Sequence, residues 1–158
     1  MAVHVRAAIS ADAETIEAFA HALSREEGYP APALQAQHVR KQGFGADARF
    51  RALIAERDGQ PVGYALFFPA YDTDHAERGL YLQDLYAAPE ARRQGAGRAL
   101  IAAVARACVA DGACYVFWNA RPENRAGLAF YRAIGARQEP TVTLSLQPDA
   151  LRRLAEQP

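Results

Sequence analysis

The chain has 158 residues, 51% of them hydrophobic and 23% charged, with a formal net charge of zero. A domain of that size and composition buries a core without metal or disulfide staples, and the interleaved charges exclude the basic footprint of a nucleic-acid binder. The longest apolar run, 99–110, is broken by Arg106 and is too short to span a bilayer.

The segment His4-Val5-Arg6-Ala7-Ala8 alternates like a first strand, and Ser10 or Asp12 can cap the helix behind it. In that helix Ile16, Phe19, Ala20 and Leu23 recur at helical spacing, and Pro30 and Pro32 end it. A second helix over 34–42 stops at Gly43-Phe44-Gly45. Strands over 51–56 and 62–71 follow, joined by Asp58-Gly59, a hairpin turn signal.

A strand over 80–87 ends before Pro89, and Gly95 opens a helix with Leu100, Val104 and Cys108 on one face. Asp111-Gly112 closes it ahead of a strand over 113–119. A helix over 124–134, a last strand over 141–146 and a short helix from Pro148 complete an α+β chain with a mixed sheet, expected to form one domain over 1–158. The N-terminal residues lack the basic flank and apolar core of a signal peptide, so the expected compartment is the cytoplasm, with Cys108 and Cys114 reduced.

The richest segment is Asp84-Leu85-Tyr86-Ala87-Ala88-Pro89-Glu90-Ala91-Arg92-Arg93-Gln94-Gly95-Ala96-Gly97-Arg98. A strand runs into a basic, Gly-containing loop and then a helix N-terminus, where unpaired N–H groups and the helix dipole favour a phosphate. Neither a Walker A loop nor a dinucleotide fingerprint is present. Further on comes Asn124-Arg125-Ala126-Gly127, then Phe130-Tyr131 before Gly135.

Arg92-x-x-Gly95-x-Gly97 with Asn124 and Tyr131 at this distance resembles the acetyl-CoA signature of the GNAT superfamily. Gly43-Phe44-Gly45, Val62-Gly63-Tyr64-Ala65-Leu66-Phe67-Phe68, Tyr71-Asp72 and Leu80-Tyr81-Leu82-Gln83-Asp84-Leu85-Tyr86 are similar to its spermidine/spermine branch, which includes thialysine acetyltransferases. The resemblance implies a three-layer fold around a twisted mixed sheet, with strands 4 and 5 splayed to admit pantetheine. It also implies a homodimer and transfer of an acetyl group to a small amine.

Carried over by position, cofactor contacts fall on the main chain of Leu85, Tyr86 and Ala87, on Arg92, Arg93, Gln94, Gly95, Ala96, Gly97 and Arg98, and on Asn124, Arg125, Ala126 and Gly127. Tyr131 takes the place of the catalytic acid. A phenol with a pKa of about 10 stays protonated at neutral pH and can protonate a departing thiolate.

Substrate contacts fall on Glu26, Glu27, Gln83, Asp84, Phe117, Trp118 and Asn119. Gln83 stands where the polyamine branch has a glutamate; an amide takes no proton and pairs only weakly with a second ammonium. The base is therefore open between Asp84, an acid of the Glu26-Glu27 pair, and a water chain, and preference is expected to shift from spermidine toward an amine with one cationic end. A non-catalytic acyl-CoA sensor and a protein acetyltransferase are the competing readings. The four histidines show no metal spacing, and Asp72, Asp74 and His75 read as a polar turn.

Overall fold

The computed structural model describes residues 2–74 and 76–158; His75 of the expected polar turn lies outside the described residues. Within that turn the Asp74 N–H donates to Asp72 Oδ1 at 2.8 Å. The chain divides into two compact units, one ending at Trp118 and the other Asn119–Pro158.

The first unit carries strands β1 (His4–Ala7), β2 (Arg51–Arg57), β3 (Gln60–Asp72), β4 (Glu77–Ala87) and β5 (Tyr115–Phe117), in spatial order β1-β2-β3-β4-β5. All neighbours are antiparallel except β4 and β5, which run parallel. A parallel pair needs a crossover, here supplied by helix α3 (Ala96–Ala110). Asp58 and Gly59 both take positive φ in the two-residue turn between β2 and β3, the type I′ geometry expected of Asp-Gly.

Two cores form, one on each sheet face. Leu100, Val104 and Cys108 of α3 pack with Ala65, Phe67, Leu80 and Leu82. On the other face α1 (Ala13–Glu26) and α2 (Ala36–Gln42) bring Ile16, Ala20 and Val39 onto Ile54, Tyr64, Leu66 and Tyr86. Strand β3 is buried on both faces from Val62 to Phe67, so its sequence is almost continuously apolar.

Two features of this unit shape the region of interest. Opposite β3, Leu66 faces Asp84 and Phe67 faces Leu82, which leaves Gln83 as the extra residue of a β-bulge. Leu80 and Leu82 point into the α3 core, whereas Asp84 and Tyr86, of the same parity, point to the α1/α2 side. An unbroken strand keeps one parity on one face, so the bulge is what turns Asp84 round.

The second feature is that β5 pairs with β4 only at Gly79–Tyr81. Beyond Tyr81 no strand lies on that side of β4 among the described residues, so the two strands part as expected.

Helix α1 ends before the prolines, with Glu27 at its C-cap and Gly28 just after. The Gly28 N–H donates to the Arg25 carbonyl and the Tyr29 N–H to that of Ser24, a Schellman turn. Its left-handed residue has φ +75°, open to glycine at no steric cost. At the other end Asp12 does not cap through its side chain. Its buried carboxylate accepts from Arg6 Nη1 and Nη2 at 2.7 and 2.8 Å and from the Ile9 N–H at 2.7 Å, and Arg6 also holds Glu56.

The Arg6 hydrogen bonds, only partly offset by burial, hold Asp12 below the usual carboxylate range. A lowered folded pKa contributes stability above the unfolded value and loses it as pH falls through the folded one. Asp12→Asn is expected to cost about 2 kcal/mol in urea denaturation at pH 7, the scale of a charged hydrogen bond, with the difference shrinking at acid pH.

The second unit holds α4 (Arg125–Ala133) and α5 (Pro148–Ala155). The expected strand over 141–146 is absent: Val142, Leu144 and Leu146 alternate but are exposed, and the Thr141 N–H turns back to the Glu139 carbonyl. Alternation makes a strand only where a neighbour takes up its hydrogen bonds, and the described sheet does not include this segment.

Candidate active site

Along α1 the residues Ala20, Leu23, Ser24 and Glu27 are spaced i, i+3, i+4 and i+7, which puts them on one face at the helix end. That face meets the bulge of β4. Together with Tyr29, Pro32, Leu34, Gln83 and Asp84 these residues line a cavity of about 280 Å³. The floor is polar, with Asp84 and Gln83 from the strand and Glu27 from the helix end, and Leu23, Pro32 and Leu34 give apolar walls. A more open trough along Glu14, Glu17, Ala18, His21 and Arg25 also borders α1, and there Glu14 is paired with Arg40.

Asp84 is the chemically distinctive member. Tyr64 Oη donates to Asp84 Oδ2 at 2.7 Å, while Oδ1 accepts no hydrogen bond among the described residues. Burial pushes the Asp84 carboxyl above the usual range, and the Tyr64 hydrogen bond offsets part of that rise. Burial next to Asp84 raises the Tyr64 phenol in turn, so it stays a donor at any physiological pH. A partly desolvated carboxyl with one oxygen uncommitted and a shifted pKa is suited to taking a proton from an ammonium.

Of the expected substrate contacts, Glu27, Gln83 and Asp84 come together here, while Glu26, one residue and about 100° round the helix, accepts instead from Arg92 at 2.5 Å. Phe117 lies on β5, half exposed and stacked edge-on with Tyr81, and Trp118 packs against the α3 core; neither lines the cavity. Sequence reasoning missed Tyr64, Ser24, Tyr29, Pro32 and Leu34. The helical spacing back from Glu27 was a signal for Ser24, and nothing local announced Tyr64.

The loop between β4 and α3 has a mixed character. Gly95 sits at the helix N-cap with φ +90° and no side-chain cap, so the N–H groups of Ala96, Gly97 and Arg98 are the donors that a first helical turn leaves without an intrahelical acceptor. Arg93 and Arg98 are exposed beside them. This donor set fits a pyrophosphate.

Arg92 and Gln94 are engaged by neighbours in the same unit. Arg92 Nε donates to the Ala87 carbonyl at 2.9 Å and Nη2 to Glu26. Gln94 accepts from Arg57 and donates to the Glu90 carbonyl. The Ala87 oxygen thus accepts from Arg92, while Leu85 packs toward α3 and Tyr86 is buried against Phe19.

In the second unit Asn124 caps α4, its Oδ1 accepting from the Gly127 N–H at 2.9 Å, with Arg125 and Ala126 forming the first turn. Tyr131 lies two turns on, its ring centroid 5.4 Å from that of Phe130. Asn119 opens this unit.

No described helix is long and apolar enough to cross a membrane, and the described residues hold no group of three or more His, Cys, Asp or Glu that could hold a metal ion.

The model of the acetyltransferase (GNAT) family matches residues 16–136. The thialysine N-epsilon-acetyltransferase of Sus scrofa is 32% identical over 129 residues, which are 74% of this chain and 75% of the relative. The L-ornithine N5-acetyltransferase of Arabidopsis thaliana is 36% identical over 75 residues, 48% of this chain and 33% of the relative. Among solved structures, an integron cassette protein from the mobile metagenome of V. cholerae aligns with TM-score 0.82 at 20% identity, covering 99% of both chains. An aminoglycoside acetyltransferase from an uncultured soil metagenomic sample, solved with sisomicin, reaches 0.76 at 19% identity, over 92% of this chain and 95% of its own. At such identities the structures speak for the fold, and it is the family match over most of the chain that makes this protein a member of the GNAT family, an acyltransferase.

Proposed function

We propose that the protein transfers the acetyl group of acetyl-CoA to a primary amine of a small molecule, a diamine or a thialysine-like amino acid, by direct attack in a ternary complex. The observation that carries this reading is the Asp84 carboxyl, turned by the Gln83 bulge into a cavity whose other acid is Glu27. Two carboxylates and no cation among its lining residues favour an ammonium guest. The named activities of the Sus scrofa and Arabidopsis thaliana relatives support the same class.

Asp84 Oδ1 receives the proton that the amine must lose, and Tyr64 holds the carboxyl in place through Oδ2. Glu27 holds the cation while Gln83 leaves a second ammonium without a partner. The N–H groups of Ala96, Gly97 and Arg98, with the charges of Arg93 and Arg98, hold the pyrophosphate, and the edge of β4 beyond its pairing with β5, along Leu85 and Tyr86, meets the pantetheine amides. Acetyl-CoA supplies an acetyl group already activated as a thioester. Tyr131 Oη gives its proton to the sulfur that departs. A cytoplasmic homodimer is part of the same proposal.

The test is thiol release from acetyl-CoA against diamines, thialysine, amino acids and short peptides, with calorimetry alongside. Release with small amines is expected, with stabilisation by CoA and none by NAD or ATP. Thialysine should be preferred to spermidine, and Gln83→Glu should move the preference toward spermidine. CoA binding without release for any amine, or release only with peptides, would overturn the reading.

A further inference from the structure

Arg92 is anchored at three points within the first unit. Its Nε donates to the Ala87 carbonyl at 2.9 Å, its Nη2 reaches both Glu26 oxygens at 2.7 and 2.5 Å, and its guanidinium carbon lies 5.8 Å from the Tyr86 ring centroid. Those partners belong to different elements: Glu26 is the last residue of α1, and Tyr86 and Ala87 are the last two of β4. Next to Glu26 in sequence is Glu27, which lines the amine cavity, and next to Arg92 is Arg93, in the left-handed turn that leads into Gly95 and the α3 N-terminus.

We infer that Arg92 is a positioning residue: it clamps the end of α1 to the point where β4 becomes the phosphate loop, and so holds the acid wall of the amine cavity and the cofactor donors in one register. It acts through Glu26 and the Ala87 oxygen. A planar guanidinium can span a carbonyl and a carboxylate at once, whereas a lysine ammonium is a point charge. Glu26, neutralised in the pair, serves as an anchor, and of the two acids at the helix end Glu27 is the one that meets the amine. The inference rests on the acetyl-CoA reading and assigns a different task to the arginine that the family resemblance puts on phosphate.

The two tasks predict opposite signs for one substitution. If Arg92 bound phosphate and Glu26 competed for it, Glu26→Gln would free the arginine and tighten CoA. If Arg92 is a clamp, Glu26→Gln weakens CoA although the residue is an acid outside the loop. Titration calorimetry with CoA on the wild type, Glu26→Gln, Arg92→Ala, Arg92→Lys and the Glu26→Gln/Arg92→Ala double variant reads the sign.

The expected result is a loss of about fivefold in Glu26→Gln, the upper end for an exposed pair. Arg92→Ala should lose at least as much, Arg92→Lys should fail to rescue it, and the double variant should be no worse than Arg92→Ala. In kinetics the KM values for amine and acetyl-CoA should rise together while kcat holds within about twofold. Tighter CoA binding in Glu26→Gln, wild-type affinity in Arg92→Lys, or full additivity in the double variant would overturn the clamp. A wild type that binds no CoA would overturn the acetyl-CoA reading itself, and is distinguishable because the variants then have no affinity to lose.

Discussion

Asp84→Asn is expected to lose roughly 10²- to 10⁴-fold in kcat, the range for removing a general base, while becoming more stable than the wild type at neutral and alkaline pH. The two effects share one cause. Burial raises the folded pKa of Asp84, so the ionised carboxylate needed for proton transfer is the form that the fold disfavours. An acid whose folded pKa is raised contributes its stability below the unfolded value, about 3.9, and loses it as pH rises through the folded one.

Asparagine keeps the shape and still accepts from Tyr64 without carrying that charge, so the melting-temperature gain should be absent at pH 4 and grow upward from there. Tyr64→Phe removes the donor that favours the charged form, and should move the acidic limb of kcat/KM to higher pH. Glu27→Gln should act instead on the KM for the amine. Asp84→Asn with activity within a few-fold of wild type would return the base to Glu27 or to a water chain.

Tyr131→Phe should lower turnover by about 10²-fold or more, with CoA affinity nearly unchanged. Phenylalanine preserves the ring beside Phe130 and the apolar face of α4, and deletes the hydroxyl that would carry the proton. The Asn124 cap at the other end of the helix is untouched, so the helix itself should persist. Steady-state turnover at saturating acetyl-CoA, with calorimetric titration of CoA, separates loss of the acid from loss of binding. Full activity in Tyr131→Phe would remove the tyrosine from the chemistry.

Much of the scaffold was legible from short-range rules. Asp58-Gly59 marked its hairpin because only residues tolerant of positive φ make a two-residue turn that matches strand twist. Leu100, Val104 and Cys108 announced the buried stripe of α3, and the glycines and arginines ahead of it announced a helix N-terminus fit for phosphate. Glu26 and Glu27 stand at the end of α1 as expected, but the residue that ends it is not a proline. The prolines drew attention, but Gly28 with its Schellman bonds stops the helix first.

The sequence by itself determined the element types up to β5, the family and the two acids at Glu26 and Glu27, because periodicity, turn chemistry and motif spacing act within a few residues. The task of each acid was a tertiary decision. Helical phase aims Glu27 at the cavity and Glu26 at Arg92, whose position depends on where β4 ends. Asp84 faces the α1/α2 side only because β3 pairs with β4 in a register that expels Gln83 as a bulge, and its raised pKa comes from burial at that place, which the Tyr64 hydrogen bond only partly offsets. Residues 141–146 show the converse: their alternation is as regular as any strand's, yet a strand needs a pairing partner, and the described sheet does not include them. Register and desolvation are sums over distant segments, so no local window contains them.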